Sequence, residues 1–357
     1  MVRTVHSAAS SDDDWILHAD WRQTSTTAAA TDITSDGDWV LAENPLASPR
    51  QRLLGVFVHS GPGRHAYAPL IHPFSAAVVS PKSRAAYLMS SLPSATTICA
   101  SSHGFVLARG PWSSYSISVP SSKDWAPIPK PPSAHSISAP LAFAAHSGRD
   151  FLVICAVSSM KGLYGFYRFE IYDSSTGHWT FSGDLFPMGL IVDSFGVSCC
   201  ETVFFRTAVP SIAAFDTATG LARVLAPPPR CLEKTVLWQL VEAGGRLRCV
   251  CVMEGAVEVY QLGEIADKWE SVTAVNVVTT TMKSGDEQAI FCKKPPQPLR
   301  SQGEKTGFLL WLDGRVVWWD IQRRMAADLG FEGAPPPLLS CANYVPFCGD
   351  TAEDGSC

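Results

Sequence analysis

Between residues 165 and 181 the chain reads GFYRFEIYDSSTGHWTF, a pattern that calls for antiparallel β structure. Tyr167, Phe169 and Ile171 alternate with Arg168 and Glu170. A period of two in aromatic and β-branched residues is the signature of a half-buried strand. Asp173 follows, and its carboxylate can accept hydrogen bonds from backbone N–H groups two or three residues on, which folds the chain into a turn. Gly177 can take the positive φ that closes such a turn. Trp179 then opens the return strand and can lay its ring over the hairpin. The stretch is therefore expected to be a hairpin with a turn of about five residues.

Variants of this unit recur. Their turn positions are Asn44, Pro81, Pro120, Asp173, Asp216, Gln261 and Asp320, at intervals of 37, 39, 53, 43, 45 and 59 residues. These centre on the roughly 40–50 residues that a four-stranded propeller blade needs. The expected strands fall at 39–41 and 52–58, at 77–79 and 86–89, and at 102–108, 115–119 and 125–129. They continue at 151–157 before the hairpin, at 196–198, 202–206, 212–215 and 222–225, at 235–241, 246–253, 257–260 and 268–272, and at 289–291, 307–312, 315–320 and 325–329. Proline runs at 127–132, 227–229 and 335–337 cannot join a ladder and are placed between blades. A single blade cannot cover both its faces; stacking blades around an axis buries both and leaves only short edges. The expected fold is an all-β, kelch-like β-propeller of six or seven blades over residues 39–340. A loosely docked segment, 1–38, precedes it, and a flexible tail, 341–357, follows.

Composition narrows the partners. Charged residues make up 17 %, below the usual quarter, and the net charge is −5. Lysines and arginines are scattered, with Lys293-Lys294 and Arg323-Arg324 too short to form a patch, so no nucleic-acid or membrane partner is expected. The first residues, MVRTVHSAASSDDDW, have no apolar leader core. The eleven cysteines are then expected to remain thiols in the cytoplasm or nucleus.

Several arrangements could carry chemistry. A sialidase-type Asp box sets Asp and Gly two apart, whereas Asp173 and Gly177 are four apart, so Asp173 is a turn residue; Asp216 and Asp320 are read likewise. Cys249 and Cys251 would share one face of a strand, but no Cys-x-x-Cys or His-x-x-x-His supplies further ligands, so packed thiols are expected. Cys199 and Cys200, being adjacent, would point to opposite faces. His103, His135, His146 and His178 stand beside turns in no nucleophile–base pattern. The loop Gly61-Pro62-Gly63-Arg64 lacks the strand–helix setting of a phosphate cradle. No catalytic residue, cofactor or metal is expected.

Three stretches together carry a family likeness. They are SSHGFVLARG with YSISVPSSKDWAPIPKPP (101–110 and 115–132), FEIYDSSTGHW (169–179), and VLWQLVEAGGRLRCVCVMEGAVEVYQLGE (236–264) followed by Lys268-Trp269. In their order and spacing they resemble the F-box-associated domains of the large plant F-box protein families, over roughly residues 40–330. The resemblance implies a kelch-like propeller that captures a target protein for a cullin-based ubiquitin ligase. Residues 1–38 lack the Leu/Ile-rich helical pattern of an F-box, and Val119-Pro120 stands where the family favours Asn-Pro. The cullin adaptor is therefore expected as a partner only if an F-box is supplied from elsewhere.

The expected function is a non-enzymatic protein-interaction module that binds through loops on one face of the ring. Trp112, Lys161 and Tyr164 are the candidate protein-binding residues, on the insertions around 112 and 161–164; the 283–288 insertion is a further candidate. The rival is a propeller hydrolase or lyase, which would need acidic and histidine side chains on the innermost strands facing the axis.

Overall fold

A computed structural model describes residues 55–59, 65–69, 88 to 276 with short breaks, and the strands lying between residues 296 and 344. The chain divides into two compact units, Met1–Ala47 and Ser48–Cys357, and every described residue belongs to the second. Among the described residues it has 24 strands and one 3-10 turn, with Leu88 and Ser90 helical before the first blade.

The first two strands are β1 (Gly55–His59) and β2 (His65–Pro69). Blade one then holds β3 (Thr97–Ser102), β4 (Phe105–Arg109), β5 (Tyr115–Ser118) and β6 (Ala126–Ile128), paired in chain order. Blade two holds β7 (Leu141–His146), β8 (Asp150–Ser158), β9 (Tyr164–Asp173) and β10 (His178–Phe181), with β11 (Phe186–Gly189) added along β9. Blade three holds β12 (Val197–Cys199), β13 (Thr202–Arg206), β14 (Ile212–Asp216) and β15 (Ala222–Leu225). Blade four holds β16 (Leu237–Glu242), β17 (Leu247–Met253), β18 (Ala256–Leu262) and β19 (Trp269–Asn276). Blade five holds β20 (Gln297–Leu299), β21 (Gly307–Leu312), β22 (Arg315–Asp320) and β23 (Met325–Glu332). The last strand, β24 (Ser340–Tyr344), pairs antiparallel with β1 to complete a three-stranded sheet, β2-β1-β24.

In each blade the first strand meets the first strand of the next: β3 lies beside β7, β7 beside β12, β12 beside β16 and β16 beside β20, while β24 lies beside β3. That is the propeller arrangement, with antiparallel sheets radiating from an axis lined by their first strands. Burial follows from it. Second strands are covered by neighbours on both faces, so β4 and β21 are buried at every residue. Outer strands such as β10 and β15 are largely open.

The core sits between blades. Phe105, Leu107 and Ile117 of blade one pack on Leu141, Phe143, Phe151 and Val153 of blade two. Phe169 of blade two packs on Val203, Phe205, Ala213 and Phe215 of blade three. Val197, Phe204 and Ile212 of blade three meet Leu240, Leu247 and Cys249 of blade four. Val250, Val252 and Val259 of blade four meet Phe308, Leu310 and Trp319 of blade five. The period-two alternation of each strand supplies one apolar row to each interface.

The turn chemistry at Asp173 and Asp216 is as the sequence implies, whereas Gln261, expected at a turn, lies within β18 opposite Glu270 of β19. Asp173 Oδ1 accepts the Ser175 N–H at 2.8 Å, the Asp173 carbonyl accepts the Gly177 N–H at 2.8 Å, and Gly177 has φ +71°. The turn at Asp216 repeats this: its Oδ1 accepts the N–H groups of Ala218 and Thr219 at 2.9 Å, and Gly220 also has φ +71°. Trp179 does more than cover its hairpin. Its indole N–H donates to the Pro129 carbonyl at 2.7 Å, beyond the end of the preceding blade. Trp269 donates in the same way to Ala226 at 2.9 Å, and Trp125 to Leu88 at 3.3 Å. A tryptophan on or just before the outer strand thus latches its blade to the connection before it.

Three expectations are corrected. The described residues form five complete blades, fewer than the six or seven expected. The expected first and second units do not become two blades: within them, β1 joins β2 and the distant β24, while 39–41 and 77–79 lie outside the described residues. The long strand expected at 102–108 is two strands, β3 and β4, broken at His103 (φ +51°) and Gly104. The innermost strand of blade five is β20 at Gln297–Leu299; the expected 289–291 strand lies outside the described residues, as does the proline run at 335–337. No described helix is long and apolar enough to cross a membrane.

Candidate functional site

The turn between β4 and β5 carries the most exposed large apolar side chain among the described residues, Trp112, at 90 %. The Gly110 N–H donates to the Ser114 carbonyl at 2.8 Å, and the Ser114 hydroxyl donates to the Pro111 carbonyl at 2.7 Å. Trp112 and Ser113 both have φ +58°. Left-handed backbone at a non-glycine residue costs on the order of 1–3 kcal/mol and persists only where its surroundings over-determine it. Here the restraint comes from below. The Ser113 hydroxyl donates to the His135 carbonyl at 3.0 Å, and the His135 N–H donates back to the Ser113 Oγ at 2.7 Å.

His135 is itself anchored. The Tyr115 hydroxyl donates to His135 Nδ1 at 2.7 Å, and His135 Nε2–H donates to Glu170 Oε2 at 2.9 Å. This tautomer is the one that satisfies both partners of a neutral imidazole. The Ser133 N–H also reaches Glu170 Oε2, at 3.4 Å, and Glu170 is fully buried. The Trp179 ring closes the site, 5.6 Å from the imidazole and 5.9 Å from the Tyr115 ring. Arg109 lies nearby with its guanidinium 5.5 Å from the Phe195 ring. Order and spacing suggest a catalytic relay, but Tyr115 is 2 % exposed and Glu170 0 %. Substrate cannot reach either group. The chain of bonds instead ties the connection leaving blade one to strand β9 of blade two.

Burial pushes the His135 imidazole below its ordinary 6.5, with the Glu170 hydrogen bond opposing and the Arg109 charge assisting. The unfolded chain therefore binds the proton more readily than the folded one. This contribution to stability is complete above pH 6.5, and it is lost as the pH falls below 6.5 towards the depressed folded value. Urea midpoints measured between about pH 7 and pH 5 should fall more steeply for the native chain than for His135→Gln, which cannot titrate.

Topology places the other expected residues. The second-to-third-strand turn stands at the same end of every blade, where the first strand begins. Tyr164 opens β9 and so stands at the end of blade two that matches the Trp112 end of blade one. Lys161 and the 283–288 insertion lie outside the described residues. The same end displays apolar groups that sequence reading missed. Leu190 and Val192 are 36 % and 50 % exposed, and backbone bonds from Ala208 N–H to Leu190 O and from Val192 N–H to Arg206 O fix them beside the end of β13. Leu237, which opens β16, is 41 % exposed. Only the folded blades bring these dispersed residues to one face.

The innermost described strands carry one carboxylate, Glu242, and one histidine, His146. Glu242 Oε1 accepts the Gly245 N–H at 2.6 Å, which commits it to a turn. Cys199 and Cys200, expected on opposite faces, both reach the Gly245 carbonyl, at 3.0 and 3.5 Å, because Cys200 turns back at φ +52°. Cys249 and Cys251 do share one face of β17, and Cys231 joins them from the 3-10 turn Pro229–Leu232. Hydrogen bonds from its two neighbours hold the Cys231 thiol below the usual range, while burial pushes Cys249 up. Spacing along the chain had no means of finding Cys231, which lies 18 residues from Cys249 and off the strand.

No family model and no curated protein matches the chain. Among solved structures it is similar to a functionally unknown protein from Desulfotomaculum acetoxidans DSM 771, at 7 % identity and TM-score 0.40, covering 70 % of this chain and 89 % of that one. It is also similar to an oligogalacturonate lyase in complex with manganese, at 8 % identity and TM-score 0.38, over 62 % of this chain and 61 % of that one. Likenesses this distant carry no functional argument.

Proposed function

We propose that the propeller binds another protein through the face bearing its second-to-third-strand turns, with Trp112 as the anchor. The observation that carries this reading is an exposed tryptophan on a turn held in two left-handed residues by a buried hydrogen-bond chain. A rigid, pre-organised aromatic loses little entropy on binding, and tryptophan is enriched among residues that dominate interface energy. Leu190, Val192 and Leu237 would surround it with apolar area, and Tyr164 opens its strand at the same end. Among the described residues Glu242, the one carboxylate on the inner strands, is bound into a turn, and the chain is read as a binder.

The resemblance to F-box-associated domains extends the proposal. The bound protein would be a target for ubiquitylation, captured in the cytoplasm or nucleus, with the cullin adaptor joining only through an F-box supplied by another segment or chain. The test is affinity capture from the source cells with the native chain, Trp112→Ala and Leu221→Ala. Leu221 is 60 % exposed at the opposite end of blade three. A hot-spot loss of at least 2 kcal/mol predicts about a 30-fold weaker complex for Trp112→Ala alone. Equal recovery by all three chains would refute the assignment. Stoichiometric binding of purified cullin adaptor to this chain alone would refute the requirement for a separate F-box.

A further inference from the structure

Cys231, Cys249 and Cys251 converge in the core between blades three and four, where they are 4 %, 0 % and 0 % exposed. Their sulfurs are separated by 3.3, 3.5 and 3.9 Å, and all three lie within 4.8 Å of one another. None of these is a disulfide, which needs about 2.05 Å. The triangle instead has the size of a metal's coordination shell. A point about 2.3 Å from all three sulfurs, the zinc–thiolate length, lies about 1 Å out of their plane. That is the pyramidal half of a tetrahedral site with one vertex left over. Among the described residues no further Cys, His, Asp or Glu joins the group.

We infer that these three cysteines bind a single soft, thiophilic ion of the zinc(II) or copper(I) class. Thiolates select such ions over magnesium, calcium or manganese. Binding forms three metal–sulfur bonds and releases up to three thiol protons to solvent, with no change of oxidation state. A compensating cation is at hand: Arg206 donates to the Trp238 carbonyl, and Trp238 is the ladder partner of Cys251. The ion would clamp the connection carrying Cys231 to strand β17 and so brace blade four against blade three. This inference is independent of what the Trp112 face binds.

The experiment uses the full chain, reduced and freed of metal under anaerobic conditions. Titration with Co(II) should give a thiolate-to-metal charge-transfer band that saturates at one equivalent and is chased by Zn(II). If only Cu(I), delivered from a bicinchoninate complex, saturates at one equivalent, the site is of the three-coordinate copper kind. Cys231→Ser should weaken binding at least tenfold, and the exposed Cys200→Ser should leave it unchanged. Cys251→Ala is read instead if Cys231→Ser loses its near-ultraviolet circular dichroism. X-ray absorption of the loaded native chain should show a shell of three sulfurs. The inference fails if neither ion binds stoichiometrically, if both cluster variants retain the band, or if the shell is nitrogen and oxygen.

Discussion

Phe169→Ala is expected to destabilise the propeller by about 3–5 kcal/mol, a large share of the roughly 5–15 kcal/mol that holds a typical fold together. Phe169 is 0 % exposed and stacks on Phe215 of the next blade at 4.2 Å and 19°. It also lies 6.1 Å from the Phe186 ring and 6.4 Å from the Phe205 ring. Truncation removes the ring from an interface whose other members are held by their own sheets, so the gap cannot collapse. Urea unfolding should show the midpoint falling with little change in slope. Phe169→Leu, which fills part of the space, should recover more than half of the loss. A loss under about 1 kcal/mol for the alanine would mean that blades two and three are not packed through this residue.

Glu170→Ala should cost about 3 kcal/mol, although it removes no apolar contact of comparable size. The change strands the His135 Nε2–H and the Ser133 N–H in a site closed by Trp179. Glu170→Gln keeps an acceptor oxygen and should cost about half as much. The effect should also spread to the Trp112 turn, because His135 is what restrains Ser113. Limited proteolysis at residues 110–114 should therefore be faster in the alanine variant than in the native chain, at urea concentrations where both are folded. If the glutamine and alanine variants behave alike, the hydrogen-bond chain is not what pins the turn.

Much of the architecture was legible because the relevant forces act over a few residues. Alternation in 167–171 and the Asp-to-Gly turns at 173–177 and 216–220 depend on backbone geometry and on side chains bonding their own backbone. The strands of blades three and four were accordingly placed to within a few residues. The β3–β4 break is hidden because Ser102, His103 and Gly104 sit inside a run that reads as one strand, and only the positive φ of His103 and Gly104 reveals the turn. Trp112 was singled out for its loop position. The restraint that makes its loop rigid comes from His135, which lies 22 residues beyond Ser113.

By itself, then, the amino-acid order determined an all-β chain of repeated strand–turn–strand units whose apolar rows demand neighbours on both faces. Only the tertiary structure decided how many units become complete blades and that β1 pairs with β24 across nearly the whole described chain. It also decided that His135 meets Glu170 across 35 residues and that Cys231 completes a trio with Cys249 and Cys251. The physical reason is the same in each case. Strand and turn formation is written in local periodicity and local hydrogen bonding, whereas pairing between blades is settled by which apolar faces and buried polar groups find complements once the sheets have stacked.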